Sequence, residues 1–139
     1  MMADIFEPAK RSEIMSRIRG KNTGPERVVF RYLRSRGIYF QKHYRSKEGV
    51  VLDVALPRKK RAVFIDGDFW HGKTIDRVME RGTDDFWTMK ILRNIERDKM
   101  QRKLLKEAGW QILAVWESDV SRKRTQIETL EKVRDFLLS

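Results

Sequence analysis

The chain has 139 residues, 40% hydrophobic and 37% charged, with a formal net charge of +11 and a pI near 10.2. It carries no cysteine, which excludes disulfides and cysteine-bound zinc, and no apolar run approaches the roughly 20 residues a membrane helix needs. The cation surplus points to a polyanionic partner, nucleic acid before a membrane surface, and the length suits one domain with a real core.

The first ten residues, M-M-A-D-I-F-E-P-A-K, lack the basic start and apolar middle of a signal peptide, so a cytoplasmic or nucleoid-associated protein is expected. Residues 10–19 read as a basic amphipathic helix, with Ile14, Met15 and Ile18 on one face and arginines around it. Such a segment suits phosphate contact, or docking on the core through Ile14 and Ile18. Thr23-Gly24-Pro25-Glu26 opens a second helix. Thr23 followed three residues later by Glu26 makes a capping box, and on spacing alone Glu26 is structural before it is functional. Val28, Val29, Tyr32 and Leu33 form its buried face, and Gly37 stops it.

Residues 38–45 read as a strand with Ile38, Phe40, Lys42 and Tyr44 alternating; His43 is an exposed or edge histidine with no role. Residues 50–56, V-V-L-D-V-A-L, form an apolar strand with Asp53 at its centre. An ionised carboxylate there is costly unless it is paired, hydrogen-bonded or metal-bound, so Asp53 is read as a functional acid. A basic turn at 57–61 joins it to a strand at 62–65 as an antiparallel hairpin. The hairpin brings Asp53 towards Asp66, thirteen positions later.

The stretch 62–73, A-V-F-I-D-G-D-F-W-H-G-K, is the centre of the chain. Buried β-formers run at once into acids, aromatics and an imidazole. Acids can hold a divalent metal, imidazole can move a proton, and aromatics can stack on bases. Residues 74–83 read as a loop. A helix follows to Ala108, or two helices with a break near Asn94, with Phe86, Met89, Leu92 or Ile91, Ile95, Met100 and Leu104 inward. Glu96 and Asp98 on it read as partners of nearby cations. A strand at 110–116 precedes Glu117-Ser118-Asp119. A closing helix at 125–138 has Ile127, Leu130, Val133 and Leu137 inward. The order α-α-β-β-β-α-β-α implies a mixed sheet flanked by helices, in a single domain over residues 1–139.

R-I-R-G-K-N-T-G-P-E, V-F-I-D-G-D-F-W-H-G, N-I-E-R-D and G-W-Q-I-L-A-V-W-E, with Arg11, Ser12 and Met15 before them, together resemble the very short patch repair (Vsr) endonuclease family over nearly the whole chain. The resemblance implies a restriction-endonuclease-like α/β fold of the PD-(D/E)XK superfamily. It also implies a Mg2+-dependent enzyme, with two ions, that nicks one strand of double-stranded DNA at T·G mismatches. Asp53 matches the acid that bridges the magnesium ions, and Ile65 the residue whose backbone carbonyl is a second ligand. Glu26 matches a carboxylate that organises water on the metal, which lifts its functional reading above the capping one, though both can hold. His71 matches the imidazole of proton transfer and Asp98 the acid that orients it. Asp66 stands where members carry His or Asp. Phe69 and Trp70 match aromatics that push into the base stack, and Met15 a wedge from the other groove. Arg11, Arg17, Arg19 and Lys21 join the DNA contacts of residues 1–22.

The chain also departs from the family. Asp68, Lys73 and Ser118 replace zinc-binding cysteines, so no zinc is expected, and an Asp68–Lys73 ion pair is a candidate replacement. The Lys of the E-x-K signature is absent, and V-V-L stands before Asp53 where Gly or Pro is frequent. A monomer without membrane attachment is expected. The alternatives are a site-specific or mobile-element nicking nuclease of the same fold, or a non-catalytic DNA-binding protein.

Overall fold

A computed structural model of the protein describes residues 23–68 and 86–139. The described elements are α1 (Gly24–Ser35), β1 (Gln41–Arg45), β2 (Val51–Leu56), β3 (Arg61–Asp66), α2 (Phe86–Glu107), β4 (Gln111–Trp116), α3 (Glu117–Ser121) and α4 (Lys123–Leu138). The sheet order is β1-β2-β3-β4. The first two pairings are antiparallel and β3–β4 is parallel, with Arg61 through Asp66 registered on Gln111 through Trp116. This is the expected mixed sheet flanked by helices.

The sheet separates two apolar clusters. On one face, Val29, Phe30 and Leu33 of α1 and Leu130, Val133 and Leu137 of α4 pack on Val54, Val63, Ile65 and Val115. On the other, Leu105 of α2 and Trp110 pack on Leu52, Ala55, Ala62 and Phe64. Burying both faces explains why β3 reads as a continuous apolar run and not an alternating one.

The capping box forms as the spacing predicts. Thr23 Oγ1 accepts from the Glu26 amide at 3.4 Å, and the Thr23 amide donates to Glu26 Oε1 at 3.0 Å. Gly37 closes α1 with φ of 71°, a conformation that favours glycine.

Three expectations need correction. The helix before Gly109 is one unbroken element, and its inner side carries Trp87, Thr88, Ile91, Asn94 and Leu105, while Phe86, Met89, Leu92, Met100 and Leu104 are exposed. Its apolar residues are scattered around the helix, so periodicity did not single out a face. Ile127 is likewise exposed; Leu130, Val133 and Leu137 are buried as expected. Residues 117–121, expected only to trail a strand, form α3, whose Val120 is fully buried. The N-terminal helix at 10–19 and the loop at 74–83 lie outside the described residues.

Candidate active site

Regular alternation along β2 would put Leu52 and Val54 on the same face. Instead Val54 packs with Val63 and Ile65, and Leu52 packs on the opposite side with Phe64 and Leu105. The alternation therefore changes phase at Asp53, which re-aims its side chain while the pairing with β1 stays one to one. β1 changes phase beside it. Its register pairs Lys42 with Val54 and Tyr44 with Leu52, leaving His43 and Asp53 between. Phe40 packs in one cluster and Tyr44 in the other, and His43 has φ of 50°. A left-handed histidine inside a strand costs on the order of 1 kcal/mol, which the surroundings must hold in place.

The two irregular residues meet the first turn of α1. Glu26 is buried, with Oε1 taken by the cap and Oε2 3.1 Å from His43 Nε2. The His43 ring stands edge-on to Phe30, with 5.8 Å between centroids. Asp53 Oδ2 accepts from the Ile65 amide at 2.7 Å, so the carboxylate takes a place that a ladder carbonyl would fill. Burial pushes the Asp53 carboxyl up to about 7. The Ile65 N–H pulls it back, and the nearby charges of Glu26 and Asp66 add to the rise.

Donor atoms of Glu26, His43 and Asp53 all lie within 4.8 Å of one another, a group that could hold a metal ion. Two carboxylates and one imidazole form an oxygen-and-nitrogen set suited to a hard or borderline divalent cation. A cation would also offset the repulsion that raises Asp53. The donor set therefore fits the metal that the resemblance implies.

Asp66, at the end of β3, is buried, and both of its oxygens accept from Arg102 Nη2 at 2.8 Å. The Arg102 guanidinium also lies over the Phe64 ring at 4.4 Å. Asp66, Arg102, Asp98, Lys99 and Trp116 line a cavity of about 260 Å3. Thus Glu26 and Asp53 converge directly, Asp66 is near enough for its charge to act on Asp53, and Asp98 shares the adjoining cavity with Asp66. Ile65 holds Asp53 through its amide, while its side chain is core. His71, Phe69, Trp70, Met15, Arg11, Arg17, Arg19, Lys21 and Lys73 lie outside the described residues.

His43 is the member that sequence reasoning missed. Its backbone conformation has no sequence signature, and the expected alternation placed it outward. A usable signal was that it is one of only two histidines in the chain. Asp68 also has a structural partner: its Oδ1 accepts from the Ser118 amide at 3.2 Å. That bond ties the exit of β3 to the first turn of α3, whose own N-cap residue, Trp116, gives no side-chain capping bond.

Comparison with known proteins agrees with this architecture. The family model described as DNA mismatch endonuclease Vsr matches residues 3–77. The type II nicking enzyme V.NmeAIP of Neisseria meningitidis serogroup A is 34% identical over 133 residues, 95% of this chain and 94% of its own length. V.HpaIIP of Haemophilus parainfluenzae, also a type II nicking enzyme, is 38% identical over 120 residues, 84% of each chain. The DNA mismatch endonuclease Vsr of Escherichia coli K12 is 32% identical over 117 residues, 84% of this chain and 74% of its own. A family match over half the chain, relatives along most of its length, and a mixed sheet of the restriction-endonuclease-like type lead to one assignment: the chain belongs to the Vsr family of DNA endonucleases.

Proposed function

We propose that the protein nicks one strand of duplex DNA with Mg2+, with T·G mismatches in very short patch repair as its substrate. The observation that carries the catalytic part is the convergence of Glu26 and Asp53 at a break in two neighbouring strands. Core packing does not require that break, and a cation site would account for it.

In this reading Asp53 and Glu26 would hold the metal, together with the Ile65 carbonyl. When bound, the metal would lower the pKa of the attacking water and neutralise the leaving oxygen. The Thr23 amide orients Glu26 through Oε1, and the Ile65 amide orients Asp53. Arg102 pins both oxygens of Asp66 beside this pair. His71 transfers the proton, with Asp98 holding its ring. Met15, Phe69 and Trp70 wedge the duplex, while Arg11, Arg17, Arg19 and Lys21 bind phosphates. A mismatch lowers the unstacking cost of such wedges, which gives selectivity a physical source. The protein acts as a monomer on cytoplasmic DNA.

Site-specific nicking of matched DNA is the second reading. It is favoured by the relatives from Neisseria and Haemophilus, which are named type II nicking enzymes. The test is a Mg2+ nicking assay on supercoiled plasmid and on duplexes with and without a T·G pair, with Asp53→Ala as control. Mismatch-dependent nicking that the variant loses supports the repair reading. Nicking of matched DNA that the variant loses supports the second. No cleavage by the wild type, with DNA binding intact, would overturn both.

A further inference from the structure

We propose that His43 Nε2 is a direct ligand of the divalent cation held by Glu26 and Asp53, and that this nitrogen shifts the site's preference from Mg2+ towards Mn2+. The proposal rests on the nuclease reading above and adds a residue to its metal site.

Three observations converge on His43. The ring is held edge-on by Phe30, with its side chain only 14% exposed and Nε2 aimed at Glu26. Its left-handed backbone lies opposite Asp53, where side-chain alternation breaks on both strands. Its Nε2 lies within 4.8 Å of ligand oxygens from both acids. Two donors bound at about 2.1 Å and at right angles on one ion stand about 3.0 Å apart. The separation of 3.1 Å between Nε2 and Glu26 Oε2 matches. Hydrogen bonds span the same distances, with Glu26 in bonding reach of both His43 and Asp53, so a signature on the metal itself must tell ligand from partner. Magnesium favours an all-oxygen shell and keeps several waters, whereas Mn2+, though also mostly oxygen-bound, accepts an imidazole nitrogen more readily than Mg2+ does. A site with one nitrogen among its protein donors should therefore shift in favour of manganese.

Loss of affinity alone would not separate a ligand from a positioning residue, because groups that orient metal ligands also change affinity by about 10–100-fold. A nitrogen signature does separate them. The chain has two histidines, so single variants assign any imidazole nitrogen on the metal. The experiment is pulsed electron paramagnetic resonance on tag-free, Mn2+-loaded protein, with Mn2+ and Mg2+ affinities measured by titration calorimetry. The variants are His43→Asn and His71→Ala. Asparagine tolerates the left-handed backbone, and His43→Gly is a second variant should the first fold poorly.

The expected result is 14N modulation in the wild type and in His71→Ala, lost in His43→Asn. The Mn2+ affinity of that variant should fall by about tenfold or more, while its Mg2+ affinity changes less than about threefold. Modulation that survives in both His43 variants overturns the proposal. So do equal losses for both ions, or no Mn2+ bound at millimolar concentration. Plasmid nicking lost in Asp53→Ala is scored separately. If the wild type nicks and the nitrogen signal is absent, only the ligand assignment falls; if the wild type does not nick, the functional reading falls.

Discussion

Replacing Asp53 with asparagine should abolish nicking and yet stabilise the metal-free protein. Burial and two neighbouring acids raise the Asp53 carboxyl from 3.8 to about 7. At about 1.36 kcal/mol per pH unit, that corresponds to an ionisation cost on the order of 4 kcal/mol once the group is charged. The folded value lies above the unfolded one, so the folded state binds more protons between them. Wild-type stability therefore falls as pH rises from about 4 to about 7, and the full cost is present above that. Asparagine removes the charge and keeps an oxygen for the Ile65 amide, at a loss of about 1 kcal/mol in charge assistance. The net gain at about pH 8 is then about 2–3 kcal/mol, a rise in Tm of roughly 6–12 °C for a chain of this length. Near pH 4 the gain should vanish or reverse. Thermal melts of both proteins in EDTA across this range measure it. A variant that melts at or below the wild type at about pH 8, or a difference that ignores pH, would refute the reasoning.

Other consequences follow from single contacts. Asp68→Ala removes the partner of the Ser118 amide at the start of α3 and should cost about 1 kcal/mol, as cap losses do, read as a lower Tm; unchanged stability would show that the bond contributes nothing. Arg102→Leu leaves the buried Asp66 carboxylate without its guanidinium, and a loss of about 2 kcal/mol is expected since the arginine is partly exposed. Denaturant melts would check it, and a neutral result would place compensation elsewhere. Arg31 and Arg34 line a groove of about 350 Å3 with Arg27, Phe30 and Lys42. If DNA phosphates run along it, changing both arginines to alanine should lower the slope of log affinity against log salt by about 2, with little effect on mismatch preference. An unaltered slope in fluorescence anisotropy titrations would put the duplex elsewhere.

The parts of the fold legible in the sequence were those fixed by local chemistry. Thr23 and Glu26 define a cap because their spacing satisfies two amides at once, and the structure forms both bonds. The 57–61 turn defines the hairpin, whose ladder pairs Leu56 with Arg61. The orientation of α2 was not legible. Its inner side carries Thr88 and Asn94 among the apolar residues while Met89 and Leu104 face out. Tertiary packing decides such a helix, and a pattern of apolar spacing does not report it. α3 was missed for a related reason: its N-cap, Trp116, gives no side-chain capping bond, and the Ser118 amide is bonded from another segment, by Asp68.

The candidate site shows the same limit more sharply. Asp53 was legible because a carboxylate inside V-V-L-D-V-A-L breaks the pattern of a buried strand, and such breaks mark function more often than error. His43 was illegible because its importance comes from a backbone angle and a change of side-chain phase along the strand, and neither leaves a mark in residue type. The two are nevertheless one feature. A slip in β2 alone would put its remaining side chains out of phase with β1 and turn Leu52 away from Tyr44. With both strands slipping at the same level, Leu52 and Tyr44 still meet in one cluster and Val54 and Phe40 in the other. The matched break thus keeps both faces of the sheet buried while freeing one residue on each strand to face Glu26. The His43 position is then set by the same constraint that places Asp53. A substitution that relaxes the β1 bend should also disturb Asp53, even if it touches no donor atom.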